Sequence, residues 1–238
     1  MSALLKIDGL SKNFGGFAAL SGVSVEVAKG ERFGLIGPNG SGKTTLINCV
    51  SGLLRNDAGS IVFDGEEVSR LAAYRRTRRG IARSFQVPRP FHTMTVLENL
   101  LVPSAYVVHM KDADGEARAM EILTSIGLAG KANAYANQLS QVELRKLELA
   151  RAMAAQPKLL ISDEAMAGLA GAEVDEVLAI LFKLNESGIT IIMIEHIMQA
   201  VMRFSQRVVC LDAGKIICEG APAEIVKNAD VQKAYLGA

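Results

Sequence analysis

The sequence predicts an α/β fold in which a mostly parallel sheet is flanked by helices. Short apolar strands alternate with helical segments in the first and the last part of the chain, which is typical of a parallel, doubly wound sheet. Between these parts, residues 88–157 carry apolar side chains at helical spacing. A glycine-rich loop at residues 37–44 lies between an apolar strand and a helix start. We therefore expect a single domain over residues 1–238, with a core of residues 1–87 and 158–238 and a helical subdomain of residues 88–157.

Composition and charge limit the class of protein. The chain has 238 residues, half of them hydrophobic, which is enough for one large domain with a sizeable core. Its longest apolar stretches, such as residues 189–194, are too short to span a membrane, and the N-terminus lacks the pattern of a signal segment, so we expect a cytosolic protein. A net charge of +1 argues against a nucleic-acid partner. Cys49, Cys210 and Cys218 lack metal-ligand spacing and are expected to be small buried side chains.

The N-terminal part is predicted to consist of strands around one helix. Residues 4–7 and 23–27 form two strands separated by a glycine-rich turn. Residues 32–36 are a short apolar strand before the glycine-rich loop, and residues 44–54 form the helix after it. Residues 59–65 are a strand that ends in an Asp-Gly turn, which indicates a hairpin.

A run of arginines follows this hairpin. Its members are Arg70, Arg75, Arg76, Arg78, Arg79 and Arg83. Closely spaced charges of this kind favour a solvated helix face. Binding of phosphate or nucleic acid is the alternative interpretation.

The rest of the chain is predicted to be helical and then to return to alternating strands and helices. Apolar periodicity predicts helices at residues 96–102, 116–126, 141–155 and 172–187. Apolar runs predict strands at residues 158–163 and 189–194, and a hairpin at residues 207–218.

The glycine-rich loop is a full match to the phosphate-loop pattern G-x-x-x-x-G-K-[ST]. Its residues are Gly37, Pro38, Asn39, Gly40, Ser41, Gly42, Lys43 and Thr44. Glycines let backbone N–H groups approach phosphate oxygens, Lys43 supplies a positive charge, and the Thr44 hydroxyl suits Mg²⁺. The helix that starts near Thr45 favours anions at its N-terminus. The chain is therefore predicted to bind a nucleoside triphosphate, and a chance match in a glycine-rich loop is the alternative.

Polar residues at the ends of later elements can complete such a site. Because open α/β sheets bind ligands at the carboxyl ends of their strands, Asp163 can hold Mg²⁺ and Glu164 can polarise a water that attacks the γ-phosphate. His196 ends a neighbouring strand and can contact the γ-phosphate. The alternatives are that the two acids cap a turn and that His196 is a structural histidine. Gln86 lies where strands give way to helices, and its amide can reach Mg²⁺ or water.

The order of these parts resembles the ATP-binding cassette (ABC) ATPases over essentially the whole chain. The resemblance rests on the phosphate loop, Gln86, Leu139-Ser140 at a helix start, Asp163-Glu164 and His196. Residues 81–86, 94–100 and 234–237 are similar to the LivG/LivF group, the ATPase subunits of branched-chain amino-acid importers. The first of these stretches favours LivG.

The resemblance implies a P-loop NTPase core, an N-terminal antiparallel β subdomain and an α-helical signature subdomain. It also implies an ATPase that uses ATP and Mg²⁺. Phe14 matches the aromatic residue that stacks on adenine, and Ser140 begins the helix that faces ATP held by the opposite subunit of a head-to-tail dimer. The implied nucleotide contacts are Phe14, Gly37, Asn39, Gly40, Ser41, Gly42, Lys43, Thr44, Thr45, Gln86 and Ser140. The implied metal ligands are Thr44, Gln86 and Asp163, and the implied catalytic residues are Glu164 and His196.

The chain departs from the family pattern at three motifs. The usual Leu-Ser-Gly-Gly-Gln signature is Leu-Ser-Gln-Val-Glu at residues 139–143, so both glycines are replaced. Ser140 still offers a hydroxyl at a helix N-terminus, but Val142 adds a branched side chain where a close backbone approach is expected. Ala165 replaces the usual proline after Asp-Glu, and Ala170 replaces an aspartate that normally helps communication across the dimer. The sequence therefore supports ATP binding more directly than fast hydrolysis.

The expected function is that of an ATPase subunit of an amino-acid importer, located on the cytoplasmic face of the cell membrane. Such a subunit needs permease membrane subunits and a second ATPase subunit, identical or different. Phe91, Met94 and Leu97 belong to the region where family members receive a helix of the membrane partner, and filling the subdomain core is their alternative role.

Three other functions compete with the importer. They are a lipid-export ATPase, a regulatory cassette with weak or no hydrolysis, and a soluble ABC ATPase of DNA repair or translation. The last usually carries long coiled-coil insertions or two cassettes in one chain, and this sequence has neither.

Overall fold

A computed structural model describes residues 3–85, 87–110 and 112–236 of the chain. Within them, a six-stranded sheet has the strand order β10-β9-β3-β8-β7-β6. Its strands are β3 (Arg32–Ile36), β6 (Ile81–Ser84), β7 (Leu159–Asp163), β8 (Thr190–Ile194), β9 (Arg207–Asp212) and β10 (Lys215–Gly220). All neighbours are parallel except β9 and β10, which form the hairpin that the sequence predicts. The mostly parallel sheet is thereby confirmed.

A second sheet forms the N-terminal antiparallel part of the fold. Its four described strands have the order β2-β1-β4-β5. They are β1 (Ala3–Phe14), β2 (Phe17–Ala28), β4 (Ala58–Phe63) and β5 (Glu66–Glu67). The first two strands are much longer than the sequence predicts. Polar residues are interspersed with buried ones along both strands, so their outer parts do not stand out as apolar runs. The predicted Asp-Gly turn does join β4 to β5.

Helices flank the six-stranded sheet and fill the segment between β6 and β7. They are α1 (Lys43–Ser51), α2 (Ala73–Arg79), α3 (Val96–Pro103), α4 (Asp112–Ser125), α5 (Gln141–Ala154), α6 (Gly171–Glu186), α7 (Met198–Phe204), α8 (Pro222–Ile225) and α9 (Ala229–Leu236). A π-helical turn, Ser104–Val108, extends α3. Helix α1 ends earlier than predicted, since Gly52 takes a left-handed conformation and caps it. Within the described residues, no helix combines the length and the hydrophobicity that crossing a membrane requires.

The central strands are buried on both faces. In β7, Leu159 and Ile161 pack against the N-terminal sheet and α1, whereas Leu160 packs in the core shared with the helices. This double burial explains why most residues of β7 and β8 are apolar, with uninterrupted apolar runs at residues 159–161 and 191–194. Cys49 and Cys210 are buried as expected, while Cys218 is only half-buried.

The arginine run is only partly solvated. Arg70, Arg75, Arg78 and Arg79 are exposed as predicted, but the prediction is wrong for Arg76, which is 1% exposed. The Arg76 guanidinium donates hydrogen bonds of 2.6–2.9 Å to the carbonyl oxygens of Cys49 and Val50 at the end of α1, and to those of Ser69 and Leu71. Carbonyls at a helix end lack intrahelical donors. Arg76 therefore joins α2 to the C-terminus of α1.

Replacing Arg76 tests whether its side chain holds α2 against the C-terminus of α1. We expect Arg76→Met to lower the free energy of unfolding by about 3 kcal/mol, because buried carbonyls lose a charged donor. Arg75→Met, on the exposed side of the same helix, is the matched control and should change stability by no more than about 0.5 kcal/mol. Urea unfolding followed by circular dichroism gives both values. Equal, small effects of the two variants would contradict the assigned role of Arg76.

Candidate nucleotide site

A cleft of about 260 Å³ lies at the carboxyl end of β3, between the phosphate loop and the N-terminal sheet. Its lining residues are Phe14, Phe17, Ala19, Asn39, Gly40, Ser41, Gly42, Lys43, Thr44, Thr45, Glu164 and His196. Most of the residues proposed from the sequence thus meet in one place. Phe17 and Ala19 were not among them, because the start of β2 does not alternate between exposed and buried residues and so gives no local signal for them.

The phosphate loop passes so close to neighbouring backbone that two of its positions have no room for a side chain. A Cβ atom at Gly37 would lie 2.1 Å from the carbonyl oxygen of Leu211, and one at Gly42 would lie 2.6 Å from that of Ala19. Both glycines also have positive φ angles, of 148° and 105°, which side-chain-bearing residues rarely adopt. Packing of the loop therefore requires glycine at positions 37 and 42, whereas Gly40 has open space around it.

Lys43 is held against the loop. Its Nζ donates hydrogen bonds to the carbonyl oxygens of Gly37, at 2.7 Å, and of Pro38, at 3.0 Å. Burial lowers the pKa of Lys43 from its usual value. The neighbouring Ser41 hydroxyl is buried, and no described residue forms a hydrogen bond with it. A buried cation and an unsatisfied hydroxyl beside a helix N-terminus suit an anionic phosphate ligand.

Asp163 lies just behind the cleft and is paired with Arg83. Strands β6 and β7 are parallel neighbours, which brings the Arg83 Nη2 atom to 2.5 Å from Asp163 Oδ2. Arg83 also donates a 2.6 Å hydrogen bond to the side chain of Asn48 in α1. The expectation of a solvated face is therefore wrong for Arg83 as well, since its side chain is only 9% exposed.

The residues present fit a Mg²⁺ ion that is shared with a nucleotide. Thr44 is exposed in the cleft, and the Asp163 carboxylate is near enough to Lys43, the residue before Thr44, to interact with it electrostatically. No described group of three or more His, Cys, Asp or Glu residues can hold a metal by itself. Mg²⁺ typically takes one or two protein ligands and completes its shell with phosphate oxygens and water. Gln86, the third ligand expected from the sequence, lies outside the described residues.

Glu164 and His196 face each other across the ends of β7 and β8. Strands β7 and β8 are parallel neighbours, as the sequence predicted, and His196 Nε2 lies 2.8 Å from Glu164 Oε1, a contact that the sequence did not predict. Glu164 has a φ angle of 49°, a conformation that is uncommon for non-glycine residues and frequent at functional sites. Its backbone N–H donates to the carbonyl of Ile194 at 2.9 Å, which fixes the strained residue to β8. The carboxylate is thereby directed into the cleft.

Glu195 supports this arrangement from inside the protein, a role that its position next to His196 did not reveal. It is 2% exposed, and its Oε1 accepts a 2.9 Å hydrogen bond from the backbone N–H of Met166. Burial raises the pKa of Glu195 to about 7, although the Met166 N–H and Arg145 oppose that shift. Glu195 thus ties the loop that follows Glu164 to the end of β8.

Ser140 begins α5 and does not line the cleft of its own chain. Its hydroxyl accepts a 3.4 Å hydrogen bond from the backbone N–H of Glu143, and the Glu143 carboxylate accepts a 2.8 Å bond from the N–H of Ser140. Lys131 pairs with Glu143 at 2.8 Å, and this pairing lowers the pKa of Glu143. The amide of Gln141 packs beside Gly168, where an added Cβ would lie 2.8 Å from its Nε2. The altered signature therefore makes a regular, capped helix start.

Comparison with known proteins identifies the family. Residues 20–167 match the family model described as ABC transporter. Residues 215–238 match the one described as branched-chain amino acid ATP-binding cassette transporter.

Curated relatives match over nearly their whole length. The high-affinity branched-chain amino acid transport ATP-binding protein BraF of Pseudomonas aeruginosa is 38% identical, and the alignment covers 98% of each chain. The corresponding protein LivG of Escherichia coli is also 38% identical, again over 98% of each chain.

Solved structures show the same fold. An ATP-binding cassette of an ABC transporter in its ADP conformation has a TM-score of 0.91 and 31% identity over 100% of both chains. A dimeric bacterial ABC transporter cassette has a TM-score of 0.84 and 27% identity, covering 92% of this chain and 98% of the other. The chain belongs to the ABC transporter family, among its branched-chain amino-acid ATP-binding cassettes.

Proposed function

We propose that this chain is the ATP-hydrolysing subunit of an importer for branched-chain amino acids. The observation that carries the chemistry is the cleft in which the phosphate loop faces the Glu164–His196 pair. The cargo is inferred from BraF and LivG, which are branched-chain amino acid transport ATP-binding proteins. These relatives give no support to lipid export or to a soluble ABC ATPase.

Different residues of the site have different roles in ATP hydrolysis. Backbone N–H groups of the phosphate loop and Lys43 bind the phosphates, and the exposed ring of Phe14 stacks on the adenine. Thr44 and Asp163 would hold Mg²⁺, which would supply positive charge against the phosphate oxygens. Asp163, which is paired with Arg83 in this structure, would then give up part of that contact to the ion. Glu164 orients a water and accepts its proton, while His196, with 45% of its side chain exposed, holds Glu164 and reaches the γ-phosphate.

We further propose that a permease helix docks in a groove next to the cleft. This groove of about 350 Å³ runs between α2, α3 and α5 and is lined by Phe85, Phe91 and Tyr106 among others. Phe91 and Tyr106 are 40% and 72% exposed, and an apolar partner helix would cover them. Leu97 instead packs against the core of the helical region, so the core-filling alternative is correct for Leu97.

Binding to the permease would place the chain on the cytoplasmic face of the membrane, beside a second cassette of the same or another kind. The dimeric solved cassette supports this pairing. In a head-to-tail dimer, Ser140 would face the ATP of the partner. No nucleic acid belongs to this proposal.

A cassette with weak hydrolysis is the second candidate, because Gln141, Val142 and Ala170 depart from the family pattern. In the proposed dimer, the altered signature acts on the partner's ATP and not on the chain's own. A homodimer would therefore hydrolyse slowly at both sites. In a heterodimer with an intact partner signature, the site on this chain would be the competent one.

Loss of the loop cation tests nucleotide binding. We expect Lys43→Ala to weaken ADP and ATP binding by roughly 10- to 100-fold, since one charge-assisted contact to phosphate is lost. Lys183→Ala, at an exposed position of α6, is the control and should bind like the wild type. Isothermal titration calorimetry measures both. Unchanged affinity of Lys43→Ala would overturn the assignment of the phosphate site.

Replacing the carboxylate tests catalysis. Glu164→Gln keeps the shape of the side chain but removes the base, so ATP should still bind while turnover falls by roughly 10²-fold or more. The variant should also accumulate as an ATP-bound dimer in size-exclusion chromatography. Glu186→Gln, at the exposed end of α6, should hydrolyse ATP normally. Normal turnover by Glu164→Gln would move the catalytic role to His196 or Asp163.

Restoring the signature glycines tests the proposal of slow hydrolysis. If the isolated chain forms homodimers, Gln141→Gly combined with Val142→Gly should raise steady-state ATP hydrolysis, since donors directed at phosphate are worth roughly 10²–10³ in rate. Ala113→Gly with Asp114→Gly, in the first turn of α4, controls for the effect of two glycines on a helix. Fast hydrolysis by the wild type, unaffected by the restoration, would show that the altered signature is not limiting.

A further inference from the structure

The C-terminal helix reaches the phosphate loop through one side chain. Tyr235 lies at the end of α9, and its hydroxyl oxygen accepts a 2.8 Å hydrogen bond from the backbone N–H of Gly37, 198 positions earlier in the sequence. Gly37 is the first residue of the phosphate-loop motif. Tyr235 belongs to residues 234–237, which are similar to the LivG/LivF group. Tyr235 lines neither the cleft nor the groove proposed for the permease helix.

Gly37 is bonded on both of its peptide groups. Its N–H donates to Tyr235, and its carbonyl oxygen accepts the 2.7 Å hydrogen bond from Lys43 Nζ. A continuous path of two hydrogen bonds therefore runs from α9 through Gly37 to the cation of the loop. A movement of Gly37 would therefore shift the position of the Lys43 ammonium group in the loop.

Gly37 is also tightly packed, which leaves its backbone little room to shift. An added Cβ would lie 2.1 Å from the Leu211 carbonyl oxygen at the end of β9 and 2.6 Å from the Ser41 hydroxyl. Gly37 comes directly after β3, whose last paired residue is Ile36 opposite Cys210. Tyr235 thus supplies an acceptor for the first N–H beyond the strand.

The geometry of Tyr235 suits this contact. Its surface is 40% exposed, but its hydroxyl points inward, and desolvation raises its pKa above the ordinary tyrosine value. The hydroxyl oxygen is an acceptor for the Gly37 N–H. Val231, one turn earlier on α9, is 4% exposed and anchors the helix independently of the hydroxyl.

We propose that Tyr235 is a positioning residue of the nucleotide site: it fixes Gly37, and through Gly37 the resting position of Lys43, so that the C-terminal helix sets the affinity for the nucleotide. The inference rests on the proposed function only in that the loop binds ATP and ADP. It does not depend on the cargo or on the permease. Its alternative is that Tyr235 merely docks α9, with no effect on the site.

A conservative replacement separates these two roles. Tyr235→Phe keeps the ring and its packing but removes the acceptor oxygen. Since one neutral hydrogen bond is lost, we expect the Kd for ADP to rise about three- to tenfold. The KM for ATP should rise by a similar factor while kcat stays unchanged, and the melting temperature should stay close to that of the wild type. Val231→Ala should do the opposite, lowering the melting temperature while leaving the Kd for ADP nearly unchanged.

The control is Tyr74→Phe. The Tyr74 hydroxyl also accepts a hydrogen bond, from Arg75 Nε at 3.0 Å, but it lies on α2 and does not line the cleft. The full-length chain is titrated with ADP by calorimetry, and the exchange rate of the Gly37 amide hydrogen is measured by NMR. Tyr235→Phe should accelerate that exchange, and Tyr74→Phe should leave both the exchange rate and the Kd unchanged.

Two results would overturn the proposal. One is a Kd of Tyr235→Phe equal to that of the wild type, and the other is an equal loss of affinity in Tyr74→Phe. Absence of ADP binding by the wild-type chain would instead contradict the proposed nucleotide site itself. The two failures are therefore distinguishable in one experiment.

Discussion

The site depends on how closely the backbone of the phosphate loop approaches its surroundings. Gly42 packs against the Ala19 carbonyl of the N-terminal sheet, and Gly37 packs against the Leu211 carbonyl of the parallel sheet. The loop is therefore held between the two sheets, and neither contact tolerates a Cβ atom. Since the cleft forms at this junction, residues of β1 and β2 line it together with the loop. The phosphate-binding backbone is thus positioned by packing before any ligand arrives.

Strand order determines which side chains join the loop. Strand β8 lies between β3 and β7, and β6 lies next to β7. Because these strands are parallel, their carboxyl ends meet at one edge of the sheet. His196, Glu164 and Arg83 come from far-apart segments of the chain, yet they converge on the end of β3. The connections after β7 and β8 are short, and the Glu195 carboxylate accepts a hydrogen bond from the Met166 N–H between them. Both features hold the ends of the two strands close together.

Local patterns in the sequence predicted the elements that are defined locally. The strands β3, β7 and β8 are apolar runs, and the phosphate loop has a fixed spacing, so their positions followed directly from the residues. The burial of Arg76 and Arg83 could not be predicted, because their partners come from α1 and β7, which are distant in sequence. The short helices α7 and α8 have too few residues for a clear apolar period. The role of Ser140 remains a prediction, since it concerns a second subunit.

The charged residues in the cleft and just behind it are already partnered within the chain. Lys43 bonds to the Gly37 carbonyl, Asp163 pairs with Arg83, and Glu164 with His196. An unpartnered charge is costly to keep in a partly buried site, which explains why each of these groups has a partner in the chain. A ligand that binds there would replace these contacts with its own. This exchange has a consequence for Arg83 in particular, because Arg83 also lines the groove proposed for the permease helix. An occupant of that groove would therefore touch Arg83, whose partner Asp163 comes directly before Glu164 of the cleft.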